Sequence, residues 1–244
     1  MPRFFLEKSA LSGEFATITG DDAFHISHSL RMRKNEMLVI CDLEGTDYLC
    51  EIEDFTKNEV SVRILERRPS ESESPAFITL YQGIPKGDKM GDIIQKAVEC
   101  GVSRIVPVVM QNCVAKINDD AENKKIARWQ RIADEAAKQS QRSRRVEIKA
   151  PVSYKYAVES AAKDGLSFLC YENEKGHTLG VFLSGERHKT ISFIIGPEGG
   201  ISASEAEYAE KNGVESVTLG KRILRTETAS LFVLSAISTI YELL

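Results

Sequence analysis

Short runs of apolar and β-branched residues occupy positions 15–19, 37–41, 48–55 and 60–65. Turn signals such as Glu44-Gly45 and Lys57-Asn58 separate them. Runs of this length and spacing predict the strands of a small barrel or sandwich. A helical turn is predicted around residues 22–30. The stretch Glu66-Arg67-Arg68-Pro69-Ser70-Glu71-Ser72-Glu73-Ser74-Pro75 is polar and bounded by proline, without hydrophobic periodicity, and reads as a seam. Beyond it the rhythm changes. Apolar runs at 77–83, 105–109, 166–171, 191–196 and 214–219 alternate with helical patterns, which is the habit of an α/β domain with a largely parallel sheet. The expected organisation is a β domain over residues 1–70, a linker over 71–76 and an α/β domain over 77–244.

A chain of 244 residues with 42% hydrophobic and 28% charged residues has ordinary globular composition. The net charge of −4 does not mark a nucleic-acid binder, so any such signal must be regional. One region stands out. Residues 124–149 hold nine basic groups (Lys124, Lys125, Arg128, Arg131, Lys138, Arg142, Arg144, Arg145, Lys149) against Asp134, Glu135 and Glu147. On a helical wheel Ile126, Trp129, Ala133, Ala136, Ala137 and Ser140 gather on one side. Lys124, Arg128, Arg131, Lys138 and Arg142 gather on the other. The pattern is an amphipathic helix with a basic ridge. It is either a solvated face or a surface for phosphates, where cations gain from counterion release.

Two segments carry candidate chemistry. In Ile194-Ile195-Gly196-Pro197-Glu198-Gly199-Gly200-Ile201-Ser202 an apolar strand ends in a glycine-rich turn. Ser202 and Glu205 then form a capping box that opens a helix. Such a turn at the carboxyl end of a strand suits a ligand loop. In Leu219-Gly220-Lys221-Arg222-Ile223-Leu224-Arg225-Thr226-Glu227-Thr228-Ala229 a second strand ends in glycine, and an apolar helix follows over 230–244. Thr226 is placed to act as N-cap, and Glu227 suits the positive end of the helix dipole. Arg222 and Arg225 oppose that dipole, which invites a ligand explanation.

Other chemistries lack their motifs. There is no G-x-x-x-x-G-K-[ST], no G-x-G-x-x-G after a strand and no G-x-S-x-G. The five cysteines form no C-x-x-C pair, so neither a disulfide framework nor a zinc site is expected. His25 and His28 are read as surface or packing histidines rather than metal ligands. The most apolar stretch, at 229–244, is short of a bilayer span. A cytoplasmic protein without membrane or metal is expected.

The two C-terminal segments together resemble the RsmE family of SPOUT methyltransferases. Other pieces agree in order: Pro2-Arg3-Phe4-Phe5, His28-Ser29-Leu30-Arg31-Met32-Arg33, Pro85-Lys86-Gly87-Asp88-Lys89 with the following helix, and the basic helix. Gln111-Asn112-Cys113 departs from the family's usual Glu-Arg-Ser type of run, and Gly91 sits inside an expected helix. The resemblance implies a PUA-like RNA-binding β-barrel followed by an α/β domain tied in a deep trefoil knot. It further implies a homodimer and S-adenosylmethionine as cofactor. The implied reaction is methylation of N3 of one uridine in 16S ribosomal RNA of the small subunit. The implied cofactor residues are Leu169, Tyr171 and Glu172 in one loop and Gly196, Pro197, Glu198 and Gly199 in the next. A third loop supplies Leu219, Gly220, Ile223, Leu224, Arg225, Thr228 and Ala229. Glu227 is expected to assist deprotonation, with Arg225 or Arg3 stabilising charge or positioning phosphate. RNA contacts are expected from Arg3, Arg31, Arg33, Lys86, Lys89, Arg128, Arg131, Lys138, Arg142, Arg144 and Arg145. Two other readings stay open: a noncatalytic RNA-binding ribosome-assembly factor, and a related enzyme methylating a ribose 2′-hydroxyl.

Overall fold

The computed structural model describes residues 1–113 and 119–244, with side chains at all of these except 12 and 119–122. The chain forms two compact units. The first comprises Met1–Glu73 and Ala137–Arg145, the second Ser74–Ala136 and Val146–Leu244. The seam therefore lies inside the polar stretch, between Glu73 and Ser74. Residues 137–145 group with the first unit, a return of the chain that the sequence pattern does not announce.

In the first unit the strands are β1 (Arg3–Phe5), β2 (Leu11–Ser12), β3 (Phe15–Thr19), β4 (Met37–Cys41), β5 (Thr46–Phe55) and β6 (Glu59–Pro69). They pair in the order β1-β4-β5-β6-β3-β2. Only β1 runs parallel to its neighbour β4. Helix α1 (Gly20–Phe24) continues as a wider helical turn over His25–Ser29, where a helical turn is predicted. Alternation sets the inner face: Ala16 and Ile18 from β3, Tyr48, Cys50 and Ile52 from β5, and Val60 and Val62 from β6 pack with Ile26, Leu38 and Ile40. Arg3 and Asp47 make a bidentate ion pair, with both N–O distances 2.9 Å. Their side chains are 13% and 5% exposed. A charge this buried requires such a partner.

In the second unit β7 (Phe77–Gly83) leads to α2 (Lys89–Glu99), β8 (Arg104–Val109) and α3 (Asp119–Gln139), whose last turn belongs to the first unit. Then follow β9 (Glu147–Ile148), β10 (Val152–Ser153), α4 (Tyr154–Ala161), β11 (Leu166–Cys170) and α5 (Leu179–Leu183). There follow β12 (Thr190–Ile195), α6 (Ala203–Lys211), β13 (Glu215–Val217) and α7 (Thr226–Ser238), which continues as a wider helical turn over Thr239–Leu243. Every pairing is parallel, in the order β10-β8-β7-β12-β11-β13, with β9 also beside β8. Parallel strands covered on both faces read as continuous apolar runs, as β7 and β12 do. Gly91 lies within α2, where a Cβ would stand 3.2 Å from Ile132 of α3.

On α3 the wheel holds as far as the helix does. Trp129, Ala133 and Ala136 are buried, while Lys124, Arg128 and Arg131 are exposed. Past Gln139 it fails, and Arg142 is a correction to the ridge. Gln141 takes a positive φ of 59°. The Arg142 N–H returns to the Ala137 carbonyl and the Gln141 N–H to that of Lys138. This is a Schellman cap, and it turns the chain out of the helical register. Arg142 is 3% exposed and its guanidinium is bound to the Glu73 carboxylate. That carboxylate also accepts the N–H groups of Ser143 and Arg144. Burial pushes the Glu73 carboxyl up, but Arg142 and the two amides outweigh it and hold it below the ordinary glutamate value.

Candidate active site

The parallel pairing of β11, β12 and β13 brings their carboxyl ends to one edge of the sheet, where open α/β sheets bind ligands. A cavity of about 410 Å³ opens there. Three segments wall it: Cys170 to Glu172 after β11, Ile195 to Gly200 after β12, and Thr218 to Thr226 with Ala229 after β13. Its size lies in the range of small-molecule sites, roughly 300–1,000 Å³. Ile195, Pro197, Leu219, Ile223, Leu224 and Ala229 supply apolar wall, and Glu172, Glu198, Arg222 and Arg225 supply charge.

The glycine-rich turn is braced from all sides. Gly200 has a φ of +71°, and a Cβ there would stand 2.0 Å from Glu172 Oε1. That same oxygen accepts the Ile201 N–H at 3.2 Å. At Gly83, the end of β7, a Cβ would stand 2.7 Å from Pro197, so only glycine lets the turn lie this close to the sheet. Asn112 donates its side-chain amide to the Gly199 and Gly200 carbonyls. Downstream, the predicted capping box is present: the Ser202 side chain accepts the Glu205 N–H, and Glu205 Oε2 accepts the Ser202 N–H. Glu205 is 8% exposed, and its other oxygen accepts the Gln111 N–H at 2.8 Å. The run that departs from the family pattern thus props both the turn and the helix after it.

Thr226 corrects an expectation. The N-cap of α7 is Arg225, without a side-chain cap bond, and Thr226 is the first helical residue. Its hydroxyl instead donates to the Gly196 carbonyl at 2.7 Å and accepts from Gln82 Nε2 at 2.8 Å. Gln82 is fully buried in β7 and also donates to the Gly83 carbonyl. A single buried relay therefore joins the ends of β7 and β12 to the start of α7. Sequence reasoning misses Gln82, although a lone amide in the apolar run Phe77–Gly83 is the signal that could have found it.

Beside the cavity the Glu198 carboxylate accepts the Lys86 N–H and lies 2.9 Å from Lys89 Nζ. Partial burial raises the Glu198 carboxyl, but the Lys89 ammonium and backbone N–H groups outweigh that and hold it below the usual glutamate value. The same ammonium lies 3.9 Å from Glu227 Oε2. That oxygen is shielded from solvent and has no hydrogen-bond partner.

All the expected cofactor-loop residues line the cavity except Leu169 and Thr228. Leu169 is fully buried in the core with Ile194, because β11 ends one residue later. Thr228 is exposed on α7, two positions past Thr226 on the helix. Cys170, Ile195 and Thr218 line the cavity in addition, as do Gly200, Lys221, Arg222 and Thr226 from within the two candidate loops, although none of them is among the individually expected cofactor residues. Arg225 reaches the cavity wall, and Glu227 follows two residues later in the first turn of α7. Arg3 belongs to the first unit, where Asp47 fills its guanidinium fork. Of the remaining expected RNA contacts, Arg31, Arg33, Lys86, Arg128, Arg131, Lys138 and Arg145 are exposed and Arg144 is half-buried. His28 is a surface residue stacked on Phe24, and His25 meets Phe4 edge-on. Among the described residues no cluster could hold a metal ion, and no helix is long and apolar enough to cross a membrane.

Known proteins share this architecture. The family model for an RNA methyltransferase domain matches residues 72–238, and that for an RNA methyltransferase PUA domain matches 18–65. The ribosomal RNA small subunit methyltransferase E of Bacillus subtilis is 34% identical over 253 residues, covering 100% of this chain and 98% of the relative. Among solved structures, the enzyme of the same name from Neisseria gonorrhoeae, bound to S-adenosylmethionine, superposes with a TM-score of 0.85. It is 33% identical and covers 99% of this chain and 98% of its own. A Legionella pneumophila protein described as a methyltransferase in complex with its bound cofactor gives 0.82 at 29% identity, with 97% and 96% covered. Matched over its whole length by these relatives and by both family models, the chain belongs to the ribosomal RNA small subunit methyltransferase E family.

Proposed function

We propose that this protein methylates N3 of a uridine in 16S ribosomal RNA of the small subunit, in the cytoplasm, with S-adenosylmethionine as cofactor. The observation that carries the reading is the cavity at the ends of β11, β12 and β13, walled by three loops. The residues present fit such a cofactor. Glycine backbone forms part of one wall, apolar side chains offer a face for adenine, and charged groups line the site for the amino-acid end. Tyr171, Gly196, Pro197, Gly199, Leu219, Gly220, Ile223, Leu224 and Ala229 would hold it. Glu172 acts on it through the turn it braces. Bound there, the cofactor supplies an electrophilic methyl group.

The protein's own task is to align a base and to manage one proton. Neutral uracil carries a hydrogen on N3, which must leave as the new bond forms. Glu227 is the acceptor we assign: its Oε2 has no hydrogen bond and lies at the start of α7, beside the cavity. Arg225, on the cavity wall, is assigned to the charge developing on the pyrimidine oxygens. Arg3 is set aside for this role, since Asp47 already occupies it. Exposed cations, among them Arg31, Arg33, Lys86, Arg128, Arg131, Lys138 and Arg145, would grip phosphates and shape rather than read sequence.

The sheet of the first unit is read as a PUA-like barrel, and the second unit as knotted. β12 enters the slot between β7 and β11, both laid down earlier in the chain, and α7 returns onto Gly196. A homodimer that buries the knotted region and α7 completes the reading. The test is labelled methyl transfer to undermethylated small subunits and to naked RNA, beside calorimetry with the cofactor. Transfer with saturable binding is the expected result. Binding of RNA without cofactor uptake would instead favour a noncatalytic assembly factor. Glu227→Gln with unchanged turnover and normal cofactor affinity would remove Glu227 as the base.

A further inference from the structure

Lys86, just before α2, and Lys89, its first residue, are both expected from the family resemblance to contact RNA. The structure separates them. Lys86 is exposed and contributes its backbone N–H to Glu198. Lys89 is only 39% exposed, and its ammonium is held at 2.9 Å from Glu198 and 3.9 Å from Glu227. Glu198 is the middle of the glycine turn, and Glu227 is in the first turn of α7. One cation at the head of α2 therefore ties the glycine turn, which lines the cavity, to the first turn of α7, which follows the cavity-lining Arg225 and Thr226.

We infer that Lys89 is a positioning residue. It pins the Gly196-Pro197-Glu198-Gly199-Gly200 turn in its cofactor-ready shape and keeps the Glu227 carboxylate facing that turn, and it makes no RNA contact. The physical reason is charge balance. Without the ammonium, the Glu198 and Glu227 carboxylates would lose the cation they share, leaving Glu198 only its backbone N–H partners and both the neighbouring Arg225, and like charges in a partly shielded site drive each other apart. Of the two, the turn is the segment expected to yield first, since the other carboxylate rides on a helix. Arginine at position 89 can keep both contacts, whereas methionine keeps the length without the charge. The inference deepens the methyltransferase reading, which supplies the identity of the cofactor, but the pin itself is a property of the ligand-free chain.

The experiment therefore has one arm without ligand. Hydrogen exchange of the full-length protein is followed at the amides of Gly196 and residues 198–201 in wild type, Lys89→Met, Lys89→Arg and Glu198→Gln. Lys89→Met and Glu198→Gln are expected to speed exchange by about tenfold, the scale of one charge-assisted hydrogen bond, while Lys89→Arg stays within about twofold of wild type. The double variant Lys89→Met with Glu198→Gln is expected to be no faster than the faster single one, because both remove the same ion pair. In the second arm, calorimetry with S-adenosylmethionine should show about tenfold weaker binding by Lys89→Met, while its affinity for small subunits and the salt slope of that affinity stay at wild-type values. Unchanged protection of the turn in Lys89→Met overturns the inference. So does a defect confined to RNA affinity with a salt slope reduced by about one. A wild-type protein that takes up no S-adenosylmethionine sinks the methyltransferase reading alone, since the exchange arm still decides the pin.

Discussion

Replacing Thr226 by valine keeps volume and shape and deletes one hydroxyl. The structure says what that hydroxyl does: it donates to the Gly196 carbonyl at 2.7 Å and accepts from Gln82 Nε2 at 2.8 Å. Gln82 is fully buried, and its Oε1 already lacks a partner. Valine would leave a buried amide hydrogen and a carbonyl unpaired as well. At about 1–3 kcal/mol for each orphaned group, with Gly196 half-buried and able to recruit water, the destabilisation should be about 2–4 kcal/mol. Gln82→Leu should cost less, about 1 kcal/mol or nothing, because it also removes the unpartnered Oε1. The double variant should then be less damaged than the sum of the two, with a coupling of about 1–2 kcal/mol. The single tryptophan, Trp129, is 8% exposed on the part of α3 in the second unit, so its fluorescence in urea follows the unfolding of that unit. A Thr226→Val cost below about 0.5 kcal/mol, or strict additivity with Gln82→Leu, would refute the relay as a structural element.

Other outcomes follow from the same geometry. Arg142→Ala should destabilise the first unit by about 3–5 kcal/mol, read by thermal unfolding, since it strands the buried Glu73 carboxylate. Because the folded Glu73 carboxyl lies below its ordinary value of 4.5, the stability it contributes is present above that pH. It is lost as pH falls from there through the lowered folded value, and an acid titration of the wild type checks it. Gly200→Ala should weaken cofactor binding about tenfold or more in calorimetry, since its φ of +71° and the nearby Glu172 oxygen both resist a side chain. Arg128→Glu with Arg131→Glu, both exposed, should weaken binding to small subunits. The log–log salt dependence should flatten by about 0.9 for each phosphate no longer neutralised, with thermal stability unchanged.

What the sequence displays is what is local. β3 and β4 stand where their apolar runs lie, and the Ser202–Glu205 box needs only a spacing of three. The glycine turn declares itself because close approach leaves a compositional mark. The misses are tertiary. Thr226 looks like a cap until Gln82, 144 positions earlier, is brought against it. Arg142 extends the ridge on a wheel, but a positive φ at Gln141 ends the helix first and Glu73 captures the guanidinium. Asn112 looks like a lapse from a family pattern, yet its amide meets the carbonyls of Gly199 and Gly200. In each case the deciding partner lies in another element, and no periodicity encodes it.

The most direct measurement is the identity of the modified nucleoside. Undermethylated small subunits are incubated with the protein and S-adenosylmethionine carrying a labelled methyl group, and the ribosomal RNA is digested and resolved. The expected product is 3-methyluridine as the sole labelled nucleoside, formed more slowly by Gly200→Ala when the cofactor is limiting. Label on a ribose 2′-oxygen, on another base, or nowhere would contradict the account.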